Sequence, residues 1–225
     1  GHKLYVHLMN GVSHMLPFVV GGGILIALAF LIDGFNVDIN SLSAEAKSAF
    51  GSITPVAATL KSIGGVAFGF MLPVLAGFIA MSIGDRPALA VGFVGGMIAA
   101  SGKSGFLGAL AAGFIAGYLV VLLRKAFAKL PEALEKIAPV LLYPLLGILG
   151  IGLIMMFCIE PPIGALNTAL NTGLTSMGGT SKILLGIVVA GMMSIDMGGP
   201  FNKAAYVFGT ASIAAGNYDI MAAVM

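Results

Sequence analysis

Apolar runs follow one another along almost the whole chain, and their lengths limit the fold more than any single motif does. Residues 11–32, 62–83, 106–123 and 138–159 each come close to bilayer-crossing length, about 20 residues of helix for a hydrocarbon core about 30 Å thick. A backbone that crosses lipid must satisfy its own N–H and C=O groups, and a helix does so within one segment. Hydrophobic residues make up 59% of the chain and charged residues 9%, against about 25% charged in soluble domains. The mean hydropathy is +1.06. The expected fold class is all-α: a polytopic membrane protein with membrane lipid as its solvent.

Several function classes drop out early. No basic cluster resembles a nucleic-acid footprint, and a net charge of +2 identifies no partner. Cys158 is the single cysteine, which rules out an internal disulfide and a Cys-based metal site. Its apolar neighbours predict a buried, inert thiol. His2, His7 and His14 are not grouped like metal ligands, and neither metal nor cofactor is expected. Residues 12–32 have only Lys3 as a positive flank and are long enough to stay as a span rather than act as a cleaved signal. The chain starts without Met and stops in an apolar run, so both ends are expected to be cuts in a longer, truncated protein.

The interruptions carry the rest of the information. Residues 1–10 read as an amphipathic lead-in at the membrane surface. Pro17 and Gly21-Gly22-Gly23 predict a kink or a close neighbour in the first span. Residues 33–60 form the longest polar connection, where Ser43 is placed to cap a short surface helix. Gly65 and Gly69 make a GxxxG pair, Gly92 with Gly96 and Gly113 with Gly117 repeat that spacing, and Pro73 predicts a kink. Gly84-Asp85-Arg86-Pro87 is a tight turn. Residues 88–100, about thirteen, are too few for a straight span; they are either a tilted span reaching toward Lys103 or a re-entrant piece. Ser101-Gly102-Lys103-Ser104-Gly105 resembles the tail of a phosphate-binding P-loop. That motif needs a glycine where Met97 stands and a strand before it, so the segment reads as a turn between spans. Residues 124–137 carry Arg124, Lys125, Lys129, Glu132, Glu135 and Lys136 among apolar residues spaced by three and four. They predict an amphipathic interfacial helix, interrupted at Pro131.

Lys3, Arg86, Arg124, Lys125, Lys129 and Lys136 fall on one side of the membrane if residues 88–100 cross it. Lys47, Lys61 and Lys103 fall on the other. Six against three predicts a cytoplasmic N-terminus.

Three charges sit where an ionisable group is expensive: Glu160, Asp196 and Lys203. Residues 160–172 are too polar for a lipid-facing helix and too apolar for a plain loop, which predicts a re-entrant hairpin. In an unbroken helix Asp196 and Lys203, seven apart, would share a face with a rise of about 10.5 Å between them, room for a sugar-sized ligand. Gly198-Gly199-Pro200 argues for a break instead, with free amides from Gly199 to Asn202. Broken helices with exposed N–H groups are a recurrent transporter device. The candidate substrate-binding residues are Asp196, Gly198, Gly199, Asn202, Lys203, Glu160 and Asn167, with no catalytic residue and no metal ligand. The structural alternatives are an Asp196–Lys203 pair joining two helix pieces, a Glu160 at the aqueous end of its span, and an Asn167–Asn171 face bonded to a neighbouring helix.

Asp196-Met197-Gly198-Gly199-Pro200-Phe201-Asn202-Lys203-Ala204-Ala205-Tyr206 is the most specific of several words that run in order along the chain. The others include Gly11-Val12-Ser13-His14-Met15-Leu16-Pro17-Phe18-Val19-Val20, Ala112-Gly113-Phe114-Ile115-Ala116-Gly117-Tyr118 and Tyr143-Pro144-Leu145-Leu146-Gly147. With them the sequence resembles the fructose-type membrane component, enzyme IIC, of the bacterial phosphoenolpyruvate-dependent sugar phosphotransferase system. The resemblance implies a homodimeric inner-membrane elevator transporter of the glucose-superfamily IIC type. Residues 1–123 would be scaffold and dimer contact, 124–137 an interfacial linker, and 138–225 the start of a sugar-transport domain. Fructose is the implied sugar. The IIB component would phosphorylate it, charged from IIA and the phosphocarrier HPr.

Two departures go with that resemblance. The Ser-Glu-Gly-Ala-Ile-Pro-Phe-like motif that carries a sugar-site acid in the family does not occur, and neither does the Cys-Pro-Thr-Gly-Ile-Ala-His-like IIB site. The chain is therefore expected to hold an incomplete sugar site and to accept no phosphate itself. An ion-coupled secondary sugar transporter, with Asp196 and Glu160 as ion ligands, and a non-catalytic membrane scaffold are the competing readings.

Overall fold

The computed structural model describes residues 1–43, 45, 46, 49–176, 179–195, 205, 208, 209, 212, 219, 220 and 222. Among them the regular structure is entirely helical. The helices are α1 (His2–Asn36), α2 (Pro55–Gly69), α3 (Met71–Gly84), α4 (Arg86–Ser101), α5 (Gly105–Phe127), the single turn α6 (Glu132–Glu135), α7 (Tyr143–Leu153), α8 (Glu160–Ser176) and α9 (Gly179–Ile195). Among the described residues, four stretches are long and apolar enough to cross a membrane: His2–Asn36, Pro55–Gly84, Gly105–Phe127 and Ala138–Ala169.

The lead-in and first span are one helix. At about 1.5 Å per residue, 35 residues make α1 longer than a hydrocarbon core is thick. Residues 55–60, expected in the polar connection, already belong to α2. Thr54 accepts from the Ala57 N–H and Pro55 follows it, a capped start whose proline gives up no helical bond. Ser43 does accept from the Ala46 N–H, at 3.3 Å. Where a kink is expected from Pro73, the helix is interrupted at Phe70, between α2 and α3, with Pro73 in the first turn of α3.

Helix α3 is the centre of the bundle. It packs against α1, α4 and α5, and α7 lies on α4 and α5. Met15, Leu75, Ile79, Val91, Val120, Ile151 and Met155 are fully buried between these helices. Small residues make the approach possible, as lipid-embedded packing requires. A Cβ on Gly92 would come within 2.7 Å of the Ala76 carbonyl oxygen, and one on Gly96 within 2.7 Å of that of Leu72. The Gly65–Gly69 pair behaves otherwise: both face open space.

The short run at 88–100 is the 16-residue helix α4, buried against three neighbours. The basic segment is not one amphipathic helix. Helix α5 runs through Phe127, and α6 begins only after Pro131, which cannot donate to the preceding turn. Arg124 donates to the Gly84 carbonyl at 2.7 Å and pairs with Asp85 at 3.4 Å. Cys158, expected to be buried, is exposed; Met155 takes the inward position on that turn.

Residues 160–172, expected to turn back on themselves, are helical throughout, so the re-entrant hairpin does not lie within them. Pro161 and Pro162 stand inside the continuous helical stretch Ala138–Ala169, where each removes a backbone donor directly after the π-helical turn. Thr168 and Thr172 turn their hydroxyls onto carbonyls four residues back. The chain enters α8 through a π-helical segment, Ile154–Ile159. A second cluster joins Val189 of α9 to Ala205 and Ile220.

Candidate functional site

The start of α8 meets the loop between α4 and α5. Glu160, Gly164 and Asn167 are spaced by four and three, so they share a helix face, and each one touches residues 102–105. Glu160 Oε2 accepts from the Lys103 N–H at 2.9 Å and the Ser104 N–H at 3.3 Å. Its Oε1 accepts from the Ser104 hydroxyl. Gly164 is bare where Lys103 Cβ approaches. Asn167 Nδ2 donates to the Lys103 carbonyl at 3.0 Å.

The loop is shaped for this. Gly102 has no side chain where a Cβ would land on the Glu160 carboxylate. Gly105 has φ +55°, the left-handed region that glycine enters without penalty. The carboxylate lies at the N-terminus of α5, where unpaired N–H groups and the helix dipole favour an anion. The P-loop resemblance of Ser101–Gly105 thus has a physical basis. The loop does present amides to an oxyanion, and that oxyanion belongs to the protein.

A carboxylate offers about four lone-pair sites. Among the described residues, donors fill both on Oε2 and one on Oε1, which leaves one on Oε1. Glu160 is half-buried and lines a cavity of about 370 Å³ with Met97, Ile98, Ser101, Gly102 and Met156. That volume is in the range of small-molecule sites, about 300–1,000 Å³. Aliphatic walls with a carboxylate and a hydroxyl suit a small polyol: C–H faces against the methionines, one hydroxyl donating to Glu160.

Of the residues singled out from sequence, the structure brings Glu160 and Asn167 to one loop. It shows Asn167 bonded to the loop backbone. Asp196, Gly198, Gly199, Asn202 and Lys203 lie outside the described residues, as does Tyr206. Sequence reasoning missed Gly102 and Ser104. The signal available was the Gly-Lys-Ser-Gly word itself, read only as a turn. A larger groove of about 780 Å³, lined by His14, Phe18, Phe70, Phe78, Phe93 and Met97 among others, lies between α1, α2, α3 and α4 and is almost wholly apolar. There His14 stacks on Phe78 at 3.8 Å and bonds the Asn10 carbonyl.

Residues 9–224 match the family model described as "Phosphotransferase system, EIIC". The chain is 50% identical over 226 residues to the PTS system fructose-specific EIIABC component of Bacillus subtilis (strain 168), covering 100% of this chain and 34% of that protein. It is 52% identical over 170 residues to the fructose permease IIC component of Bacillus amyloliquefaciens, covering 75% of this chain and 56% of that one. It is 47% identical over 223 residues to the PTS system fructose-specific EIIB'BC component of Haemophilus influenzae (strain ATCC 51907 / DSM 11121 / KW20 / Rd), covering 99% and 38%. The chain therefore spans between a third and somewhat over half of the length of these curated relatives. No solved structure matches it.

Proposed function

The chain belongs to the phosphotransferase system EIIC family, and from that we propose that it is the membrane permease part of a sugar phosphotransferase system. It translocates fructose or a related sugar across a bacterial inner membrane, and the IIB component phosphorylates the sugar at the cytoplasmic face. Relatives named as EIIABC and EIIB'BC components support IIB and IIA as partners, with HPr upstream. The chemistry asked of this chain is positioning, the presentation of a sugar hydroxyl to a phosphorylated partner.

The observation that carries the site is Glu160: one open lone pair on a carboxylate that is otherwise held fast, at a cavity of small-molecule size. Asn167, Asp196, Gly198, Gly199, Asn202 and Lys203 complete the proposed sugar site. Residues 1–123 serve as scaffold, 124–137 as linker, and 138–225 as the beginning of a moving transport domain, with the N-terminus cytoplasmic. The open Gly65–Gly69 face of α2 supports a homodimer packed there, because that spacing lets two helices approach closely in lipid.

Radiolabelled fructose uptake by the full-length protein in vesicles tests this reading, with and without a phosphoenolpyruvate-driven phosphorylation chain. Accumulation as sugar phosphate only with the chain present is expected, and its loss in Asp196→Asn and Glu160→Gln. Free sugar accumulated by an ion gradient would establish the secondary-transporter reading instead.

A further inference from the structure

We propose that Ser104 is a positioning residue for sugar binding: its hydroxyl fixes the Glu160 carboxylate so that the one open lone pair on Oε1 faces the cavity. This rests on the reading of Glu160 as a sugar ligand and assigns the residue that controls it.

Ser104 occupies the N-cap of α5, where a serine ordinarily accepts from an N–H of the first turn. Here its side chain makes no such bond. The hydroxyl donates to Glu160, 56 residues away in sequence. The Ser104 backbone is already helical, with φ −74° and ψ −25°, rather than extended as in an ordinary capping residue, and the hydroxyl serves a contact between helices instead. Ser104 is also completely buried, so its hydroxyl has no water to bond in place of Glu160.

The surroundings are cleared for that contact. A Cβ on Gly108, one turn along α5, would collide with the Ser104 side chain, and a Cβ on Gly102 would collide with the carboxylate. Glu160 itself follows directly on the π-helical segment Ile154–Ile159. π turns are rare and recur at functional sites. A π turn advances the chain by less rotation per residue than an α turn, so this segment sets the face on which Glu160 emerges. Amides of Lys103 and Ser104 saturate Oε2, and the Ser104 hydroxyl takes one site on Oε1. What remains is a single, directed acceptor. A hydroxyl of the ligand is its natural partner, and an anionic ligand is disfavoured there.

A double-mutant cycle in the full-length protein, reconstituted with phosphoenolpyruvate and the soluble phosphotransfer proteins, tests the assignment by fructose KM and kcat. Ser104→Ala is expected to raise KM about tenfold, the loss of one charge-assisted hydrogen bond, with kcat within about twofold. In the Glu160→Gln background the same substitution is expected to change KM by less than about twofold, because residues acting as one unit are non-additive. Ser104→Cys keeps a weak donor on a somewhat larger side chain, and its KM is expected to fall between those of the parent and Ser104→Ala. It also carries the test if Ser104→Ala does not fold. An equal KM effect of Ser104→Ala in both backgrounds, or unchanged KM while Glu160→Gln raises it, overturns the positioning role alone. An unchanged KM in Glu160→Gln overturns the sugar-ligand reading, and the positioning role with it.

Discussion

Two carboxylates, Asp33 and Glu160, hold this molecule together in the same manner and differ in one respect. Each lies near a helix end and accepts from the N-terminal amides of another helix. Asp33 takes the N–H groups of Gly51, Ile53 and Thr54 at 2.8–3.0 Å and the Thr54 hydroxyl at 2.6 Å. Its four lone-pair sites are full, and it is completely buried. Lys61 seals the same corner, bonded to the Phe50 carbonyl and 5.2 Å over the Phe30 ring. Glu160 has three donors, is half-buried and lines a cavity. Thr54 caps its own helix while it bonds Asp33; the Ser104 hydroxyl bonds Glu160 and does not cap its helix. Saturation marks the Asp33 corner as architecture, and the single open site is what supports the ligand role proposed for the Glu160 corner.

The largest effect expected from breaking this contrast is at the sealed corner. Asp33→Ala leaves three backbone N–H groups and a hydroxyl without their acceptor in a buried place, where unpaired donors are costly. Thermal unfolding in detergent is expected to show a Tm lower by roughly 5–10 °C, with the fructose KM of the folded fraction unchanged. Should Asp33→Ala raise KM at constant Tm, the two corners would not be distinct in kind.

Glu160→Gln is the counterpart. An amide keeps the shape but replaces one acceptor oxygen by a donor, and a hydrogen bond to a charged group is worth about 1.5–3 kcal/mol. KM is expected to rise about 10- to 100-fold, with Tm within a few degrees of the parent. A Tm loss as large as that of Asp33→Ala, with KM intact, would move Glu160 to the architectural class.

The two glycines that serve these corners sharpen the comparison with smaller effects. Gly51 has φ +91°, and a Cβ there would meet the Phe30 ring at 2.7 Å. Gly51→Ala is expected to cost about 1–3 kcal/mol of stability from backbone strain, read as a lower Tm without a change in KM. Gly102 has φ −96°, which alanine adopts readily. Its added methyl would displace only the carboxylate, so Gly102→Ala is expected to raise KM several-fold and leave Tm alone.

How far the sequence reached follows from what each signal depends on. Long apolar runs dictate spanning helices through burial alone, so the all-helical membrane fold was legible. So was the α2–α3 break near Pro73, because proline acts locally. Contacts between distant segments were not. Asp33 looked like a loop charge, since nothing near it in sequence predicts that Gly51 to Thr54 will fold back over it. Cys158 looked buried because its neighbours are apolar, yet in lipid an apolar neighbourhood does not separate inside from outside. The polarity of residues 160–172 predicts a hairpin. Their polar face instead had a protein loop to bond. Glu160 and Asn167 were singled out from residue type and spacing. Ser104, which sets the direction of Glu160, could be found only once the two segments were seen together.

Asn167 gives the smallest and most discriminating of these effects. Its Nδ2 holds the Lys103 carbonyl, on the opposite side of the same peptide loop from the amides that grip Glu160. It lies next to Gly105 rather than in the cavity lining. Asn167→Ala removes one neutral hydrogen bond at a half-buried position, about 0.5–1.5 kcal/mol. If that bond steadies the loop only for the benefit of Glu160, KM rises by a factor of about two to ten and the effect disappears in a Glu160→Gln background. If Asn167 bonds the sugar itself, as its residue type suggested, the effect persists in that background and grows with fructose analogues that keep the hydroxyl it would reach. Persistence would extend the ligand-facing corner by about two helical turns along α8. Disappearance would confine it to a single lone pair.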